Sequence, residues 1–153
     1  MKKNQAERPF SILYVEDEHL TRGMVAIVLS WRYPDVLIDT ADNGAAGLDR
    51  FMKFHHDLII TDNRMPHMSG LRMVSAIRAI SPCAPVIFLT AGIYENGLQD
   101  IPPKECTFLL LKPFQFHELF CLIDRYTKQL YFPKKHIRDF FMAPLRQLLE
   151  MPR

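Results

Sequence analysis

Residues 58–70 read LIITDNRMPHMSG, a short apolar run that stops at an acid. The first four residues are apolar or β-branched, a composition typical of a buried strand. The run ends at Asp62, and Pro66 and the Ser69-Gly70 pair then favour a loop. A buried strand that ends on an acid carries the carboxylate to the edge of a sheet, where a ligand can reach it.

Apolar runs and turn signals alternate in the same way along most of the chain. Strands are predicted at residues 10–15, 35–41, 57–61, 85–90 and 106–111. Apolar residues recur at helical spacing between and after these strands. In the first helical segment they are Leu20, Met24, Ile27, Val28 and Trp31. Five strands alternating with five helices predict an α/β fold, a doubly wound five-stranded parallel sheet with helices on both faces.

Composition indicates one domain with its own core. The chain has 153 residues, of which 48% are hydrophobic. No apolar run approaches the roughly 20 residues of a membrane span. The N-terminus MKKNQAERPF has no apolar signal region, so we expect a cytoplasmic protein without a membrane partner. The sequence has no glycine-rich nucleotide-binding loop of the usual kinds, which argues against dinucleotide or P-loop nucleotide binding.

The cysteines and histidines give no sign of a metal centre. Cys83, Cys106 and Cys121 are odd in number and far apart, which argues against a disulfide framework or a zinc site. They are interpreted as reduced thiols in or near the core. The six histidines form no helical metal-binding pair and are interpreted as surface or loop residues.

Polar side chains follow four of the five predicted strands. They are Glu16 and Asp17 after the first strand, Asp62 after the third, Thr90 after the fourth and Lys112 after the fifth. Ligands of doubly wound sheets bind outside the carboxyl ends of the strands. Clustered carboxylates repel each other unless a cation lies among them, and oxygen ligands suit Mg²⁺. Asp17 and Asp62 are therefore predicted Mg²⁺ ligands, with Glu16 acting through water. Thr90 and Lys112 suit the oxygens of a phosphoryl group.

Each of these residues, taken alone, also has a purely structural explanation. The acids at 16–18 could cap a helix, and Asp62 could form a turn. Thr90 could simply end a strand, and Lys112 could be a solvated charge. Because all four placements fall at strand ends on the same edge, together they favour a phosphorylation site.

The ordered motifs VEDE, TDNRMPHMSG, LTAG and LLKPF together resemble the receiver domain of two-component response regulators. The resemblance covers residues 10–128, and the spacings between the motifs are also similar. It implies the CheY-like, flavodoxin-like form of the predicted fold, with strand order 2-1-3-4-5. It also implies a signalling switch rather than an enzyme with a separate substrate, although the family catalyses its own phosphotransfer and dephosphorylation.

For the acidic end of the site, the resemblance implies a phosphoacceptor at Asp62. This residue would take a phosphoryl group from the phosphohistidine of a sensor histidine kinase or phosphotransfer protein, with Mg²⁺ as cofactor. Asp17 would hold the metal directly, and Glu16 would act through water. The backbone carbonyl of Arg64 would be a further ligand.

For the phosphate-binding end, the resemblance implies that Lys112 binds the aspartyl phosphate and that Thr90 is the switch hydroxyl. The Lys112-Pro113 peptide is expected to be cis. Receiver domains commonly place an aromatic residue or histidine three residues before this lysine, and this chain has Leu109 there. The aromatic half of the usual switch is therefore missing at that position.

Two segments depart from the common receiver pattern. Gly97 and the Pro102-Pro103 pair predict a short or distorted fourth helix over residues 93–101, and hence an unusual partner surface. Residues 129–153 form a basic, aromatic extension that is predicted to be helical. It could dock on the body, form a homodimer contact or lead into a further domain. It is too short for a helix-turn-helix output domain, so nucleic-acid binding is not expected from this chain.

Two other functions remain open at this point. One is a phosphorylation-independent scaffold with the receiver shape, which the full set of acids, threonine and lysine disfavours. The other is a small-molecule phosphatase that uses Asp62 as its nucleophile. Haloacid-dehalogenase-like enzymes carry a second acid two residues after the nucleophile, where this chain has Arg64.

Overall fold

The structure, a computed structural model, describes residues 8–92 and 106–131, the last four by backbone alone. The chain divides into two compact units, residues 1–114 and 115–153. The first unit contains β1 (Ser11–Val15), α1 (His19–Arg32), β2 (Leu37–Ala41), α2 (Gly44–Phe54), β3 (Leu58–Asp62), α3 (Gly70–Ile80), β4 (Val86–Thr90) and β5 (Thr107–Leu111). The second contains α4 (Phe116–Tyr131). The predicted helix over 93–101 and most of the extension lie outside the described residues.

The five strands form one parallel sheet in the order β2-β1-β3-β4-β5. The register places Ile12 opposite Leu58 and Ile59 opposite Val86. All strands run in the same direction, so their carboxyl ends meet at one edge of the sheet. The predicted doubly wound fold and its strand order are confirmed.

The two faces of the sheet are covered by different helices. Alternate residues of a strand point to opposite faces, and Leu13, Val15 and Phe88 join side chains of α2 and α3 in one core cluster. Helix α1 lies against β1 and β2. Its buried residues, Val25 and Leu29, are outside that cluster, so α1 covers the opposite face.

Helix α1 contains all of the apolar residues that predicted it, but most of them are exposed. Leu20 and Trp31 expose 76% and 80% of their surface, and Met24 and Ile27 expose about half. The helix instead packs against the sheet through a second apolar stripe, Val25 and Leu29. Both stripes have helical spacing, and only one of them can face the sheet. The exposed residues 20, 24, 27 and 31 are called the α1 stripe below.

The prediction about cysteine burial is partly wrong. Cys83 and Cys121 are exposed, and only Cys106 is half-buried. His56 is buried, with its Nε2 3.1 Å from Asp39 Oδ2. The contact with Asp39 gives one of the two ring nitrogens of this buried imidazole a hydrogen-bond partner.

Helix α4, in the second unit, has one buried face. Leu119, Ile123 and Tyr126 are buried and recur at helical spacing. The rings of Phe116 and Phe120 stack with their centroids 5.9 Å apart. Within the described part of the chain, none of the helices has the length and apolarity that crossing a membrane requires.

Candidate functional site

The parallel sheet brings the predicted site residues to its carboxyl edge. Asp62 ends β3 and Thr90 ends β4, while Glu16 follows β1 and Lys112 follows β5. The backbone continues the sheet hydrogen bonding past two of these strands. The Lys112 amide donates to the Thr90 carbonyl at 2.7 Å, and the Glu16 amide donates to the Ala41 carbonyl at 3.1 Å.

Three carboxyl groups cluster at this edge. One oxygen each from Glu16, Asp17 and Asp62 lies within 4.8 Å of the other two. Glu16 is buried, Asp62 is half-buried and Asp17 is exposed, so the cluster leads from the interior to the solvent. The donor set consists of oxygens alone, which fits a hard cation such as Mg²⁺ with its remaining positions filled by water.

Lys112 is the cation that the structure places against these acids. Its Nζ donates to Asp62 Oδ2 at 2.9 Å and to Glu16 Oε2 at 3.3 Å. Burial by itself lowers the pKa of Lys112, but the hydrogen bond and charge of Asp62, together with Glu16, outweigh it and raise the pKa. The ammonium therefore stays charged and links two of the three carboxylates.

Glu16 is the most strongly desolvated of the three acids. Burial raises its pKa, the Lys112 charge lowers it, and the charge of nearby Asp62 raises it again, with a net increase. A cation bound among the acids would favour the ionised form of this carboxyl. The electrostatics of the cluster thus agree with the donor chemistry in pointing to a cation site.

The loop after β3 holds the Asp62 carboxylate in place. Asp62 Oδ1 accepts a hydrogen bond from the Arg64 amide at 3.2 Å. Buried Asn63 ties the loop to α3, because its Oδ1 accepts from the Leu71 amide and its carbonyl from the Gly70 amide, both at 3.0 Å. A Cβ atom at Gly70 would lie only 2.2 Å from the Asp62 carbonyl oxygen, so this contact requires glycine.

Arg22 of α1 fixes the loop after β1, a role that the sequence analysis did not predict. Its Nη1 donates to the carbonyls of Glu16 at 2.8 Å and Asp17 at 3.3 Å. Glu18 caps α1, where its side chain accepts from the amides of Leu20 and Thr21. In the sequence, the only indication of these contacts is that Arg22 lies about one helical turn after the acidic residues 16–18.

Thr90 and the residues around Lys112 form the rest of the predicted site. Thr90 is buried, and its hydroxyl donates to the Gly92 carbonyl at 3.0 Å and accepts from the Gly92 amide at 3.3 Å. The Lys112-Pro113 peptide is cis. Leu109 lies on β5 and is 39% exposed.

Two buried polar groups beside the acids were also missed. They are the hydroxyl of Tyr14 and the side-chain amide nitrogen of Asn63, and neither has a hydrogen-bond partner in the described part of the chain. A tyrosine inside an apolar strand suggests a core residue, and an asparagine after a strand suggests a turn. Neither residue type therefore signals a site by itself.

The sequence matches proteins of one family over most of its length. Residues 12–124 match the family model described as the response regulator receiver domain. The chain is 31% identical over 134 residues to the regulatory protein AtoC of Escherichia coli (strain K12), covering 86% of this chain and 28% of AtoC. It spans less than half the length of the first curated relatives that it matches.

Solved structures with the same architecture agree with this assignment. The chemotaxis response regulator CheY4 of Vibrio cholerae superposes with a TM-score of 0.66 at 29% identity, over 77% of this chain and 98% of CheY4. The response regulator TrrA of Thermotoga maritima, solved in complex with Mg²⁺-BeF, gives 0.65 at 32% identity, over 76% and 98%. The chain therefore belongs to the receiver domain family of two-component response regulators.

Proposed function

We propose that this chain is a phosphoacceptor switch in which Asp62 takes a phosphoryl group from the phosphohistidine of a sensor histidine kinase or phosphotransfer protein. The observation that carries the proposal is the surroundings of the Asp62 carboxylate. One carboxylate oxygen accepts a hydrogen bond from the Arg64 amide, and the other accepts one from Lys112 Nζ. The carboxyl groups of Glu16 and Asp17 lie close by. This arrangement suits a nucleophilic carboxylate that must accept added negative charge.

The proposed transfer makes one bond and breaks one. A carboxylate oxygen of Asp62 bonds to phosphorus while the P–N bond of the donor breaks, and the imidazole nitrogen keeps the electron pair of that bond. Mg²⁺ held by Asp17 and Asp62, by Glu16 through water and by the Arg64 carbonyl would neutralise charge on the transferred oxygens. The oxygen-only carboxyl cluster supports this ligand set.

Lys112 and Thr90 respond to phosphorylation of Asp62 by changing their hydrogen bonds. Lys112 already donates to Asp62, and in the proposed product its ammonium moves its hydrogen bond to a phosphoryl oxygen. The Thr90 hydroxyl exchanges its bonds with Gly92 for a bond to the phosphoryl group. A hydroxyl that changes partner in this way converts a local charge into a backbone movement.

The α1 stripe supports a protein as the phosphoryl donor. Three of its residues, Leu20, Met24 and Ile27, recur at the spacing of one helix face, and all are at least half exposed. The stripe begins three residues after Asp17, at the same end of the helix as the carboxyl cluster. An amphipathic helix of a donor protein can bury such a stripe while bringing its histidine close to Asp62.

The test is intact-mass analysis after incubation with Mg²⁺ and acetyl phosphate. Wild-type protein is expected to gain one phosphoryl group, and the gain should disappear in Asp62→Asn and on removal of Mg²⁺. Asp49→Asn is the matched control, since Asp49 is an exposed acid on α2. A gain that persists in Asp62→Asn would contradict the assigned acceptor.

The same samples separate the two alternatives. If no variant gains a phosphoryl group, the phosphorylation-independent scaffold becomes the better explanation. If the wild type turns over a chromogenic phosphoester and Asp62→Asn does not, the protein is a small-molecule phosphatase. The switch proposal predicts negligible turnover, because Arg64 occupies the position where haloacid-dehalogenase-like enzymes carry their second acid.

A further inference from the structure

Tyr14 lies beside the carboxyl cluster but has no part in the function proposed above. It is the fourth residue of β1, between Thr40 of β2 and Ile60 of β3. Its side chain is fully buried. Strand alternation places it on the same side of the sheet as Glu16, two residues further on.

The Tyr14 hydroxyl is a buried hydrogen-bond donor. It makes no hydrogen bond of ordinary geometry within the described part of the chain. Burial raises the pKa of the phenol most, and the charges of Glu16 and Asp62 and the side chain of Glu16 raise it further. The hydroxyl therefore stays protonated close to the two carboxylates, with a proton available for donation.

The Glu16 carboxylate makes two long hydrogen bonds. Oε1 accepts from the Glu18 amide at 3.3 Å, and Oε2 accepts from Lys112 at 3.3 Å. Lys112 is closer to Asp62, at 2.9 Å. Phosphorylation of Asp62 would draw this lysine further from Glu16, so the carboxylate needs another donor to keep its orientation.

We propose that the Tyr14 hydroxyl is a positioning group that donates a hydrogen bond to Glu16 and orients this carboxylate towards bound Mg²⁺. This inference rests on the proposed function, because it assigns Glu16 to the Mg²⁺ site. A neutral donor fits the role, since it orients the carboxylate without removing its charge. Partners that orient metal-binding groups in this way contribute measurably to metal affinity.

The experiment is a calorimetric Mg²⁺ titration of wild type, Tyr14→Phe and Tyr126→Phe. Tyr126 is a second buried tyrosine and gives a matched loss of one hydroxyl outside the carboxyl cluster. We expect Tyr14→Phe to weaken Mg²⁺ binding roughly tenfold. Circular dichroism without Mg²⁺ should show that Tyr14→Phe keeps the wild-type fold, so that weaker binding reports on the site. Tyr126→Phe should bind Mg²⁺ with wild-type affinity.

A double-mutant cycle with Glu16→Gln separates positioning from packing. If Tyr14 acts through Glu16, adding Tyr14→Phe to Glu16→Gln should change Mg²⁺ affinity by less than about twofold. Unchanged affinity in Tyr14→Phe, or an equal loss in the double mutant, would overturn the inference. A wild-type protein that binds no Mg²⁺ would also overturn the metal-dependent part of the proposed function. Bound Mg²⁺ with unchanged affinity in Tyr14→Phe would overturn this inference alone.

Discussion

Two carboxylates at opposite ends of β3, Asp57 and Asp62, have opposite kinds of surroundings. Asp57 precedes the strand, and its oxygens accept from the Ser11 amide at 2.8 Å, the Ser11 hydroxyl at 3.0 Å and Arg8 at 2.7 Å. Asp62 ends the strand, shares Lys112 with Glu16 and lies within 4.8 Å of two other acids.

The difference contrasts a carboxylate that stabilises the fold with the one that we propose as the phosphoacceptor. Donors match the Asp57 oxygens, and its charge faces an arginine, so its removal should cost stability. Asp62 instead lies close to two other acids, and their mutual repulsion is relieved by a bound cation or by the loss of an acid. The edge with the clustered acids is therefore suited to binding a cation, and the opposite edge to holding the strands together.

The largest expected effect comes from crowding the Asp62 end of the strand. Gly70→Ala should destabilise the protein by about 3 kcal/mol, because the new Cβ would lie 2.2 Å from the Asp62 carbonyl oxygen and force the loop apart. Urea unfolding monitored by circular dichroism gives the change. Phosphorylation by acetyl phosphate should slow in the same variant, since the loop also carries the Arg64 amide.

Gly23→Ala is the control for this prediction. Gly23 lies within α1, and a Cβ atom there would have no neighbour within 4 Å. Replacing an unhindered helical glycine with alanine stabilises by about 0.5–1 kcal/mol. If Gly70→Ala behaved like Gly23→Ala, the close approach at Asp62 would not constrain the site.

Matched amide substitutions test the two carboxylates directly. Asp57→Asn should lose about 2 kcal/mol of unfolding free energy, since the amide cannot accept all of the hydrogen bonds from Ser11 and Arg8. Asp62→Asn should leave stability unchanged or raise it by up to about 1 kcal/mol in the absence of Mg²⁺, because it relieves repulsion. The measurement is urea unfolding of both variants in one buffer containing a chelator.

Adding Mg²⁺ sharpens the same comparison. A ligand that binds only the folded state raises its stability, so millimolar Mg²⁺ should stabilise the wild type and Asp57→Asn but not Asp62→Asn. Equal destabilisation by the two amide substitutions would contradict the division between the two ends of β3.

The sequence predicted which side chains meet at the carboxyl edge of the sheet, because one rule decides their position. Parallel strands end at the same edge, so the residue after each apolar run could be assigned to that edge without knowledge of packing. Asp62 and Lys112 were found in this way, and the structure joins them by a hydrogen bond. The boundaries of β3 and β4 differ from the predicted ones by only a single residue.

Features that depend on the choice between equivalent local patterns could not be predicted. Helix α1 has two apolar stripes, and only the packed structure shows that Val25 faces the sheet while Trp31 is exposed. In the sequence, Tyr14 looks like a core residue of a strand. Its proximity to Glu16 depends on the orientation of the ring, which the sequence pattern does not show. The bond between Thr90 and Gly92 likewise depends on a side-chain rotamer that spacing does not determine.

The smallest expected effect is a pH dependence at the Asp57 end of β3. Burial lowers the pKa of His56 below its ordinary value of 6.5, against the opposing effects of Asp39 and Asp57, while Arg8 lowers it further. Arg50 also faces this group, through its ion pair with Asp39. As the pH falls, His56 therefore takes up a proton near pH 6.5 in the unfolded state but only at a lower pH in the folded state.

The sign of this dependence follows from the lowered pKa. The contribution of His56 is fully present above pH 6.5 and is lost as the pH falls through the folded-state pKa, by at most about 1.4 kcal/mol per pH unit for one proton. His56→Gln should flatten the fall in unfolding free energy between about pH 7 and pH 5, measured by urea unfolding. His117→Gln, which alters an exposed histidine of α4, should keep the wild-type slope. If His56→Gln left the pH dependence of the unfolding free energy unchanged, Asp39 would be keeping the buried imidazole charged. The charges of His56 and Asp39 would then be as well compensated as those of Asp57 and its donors.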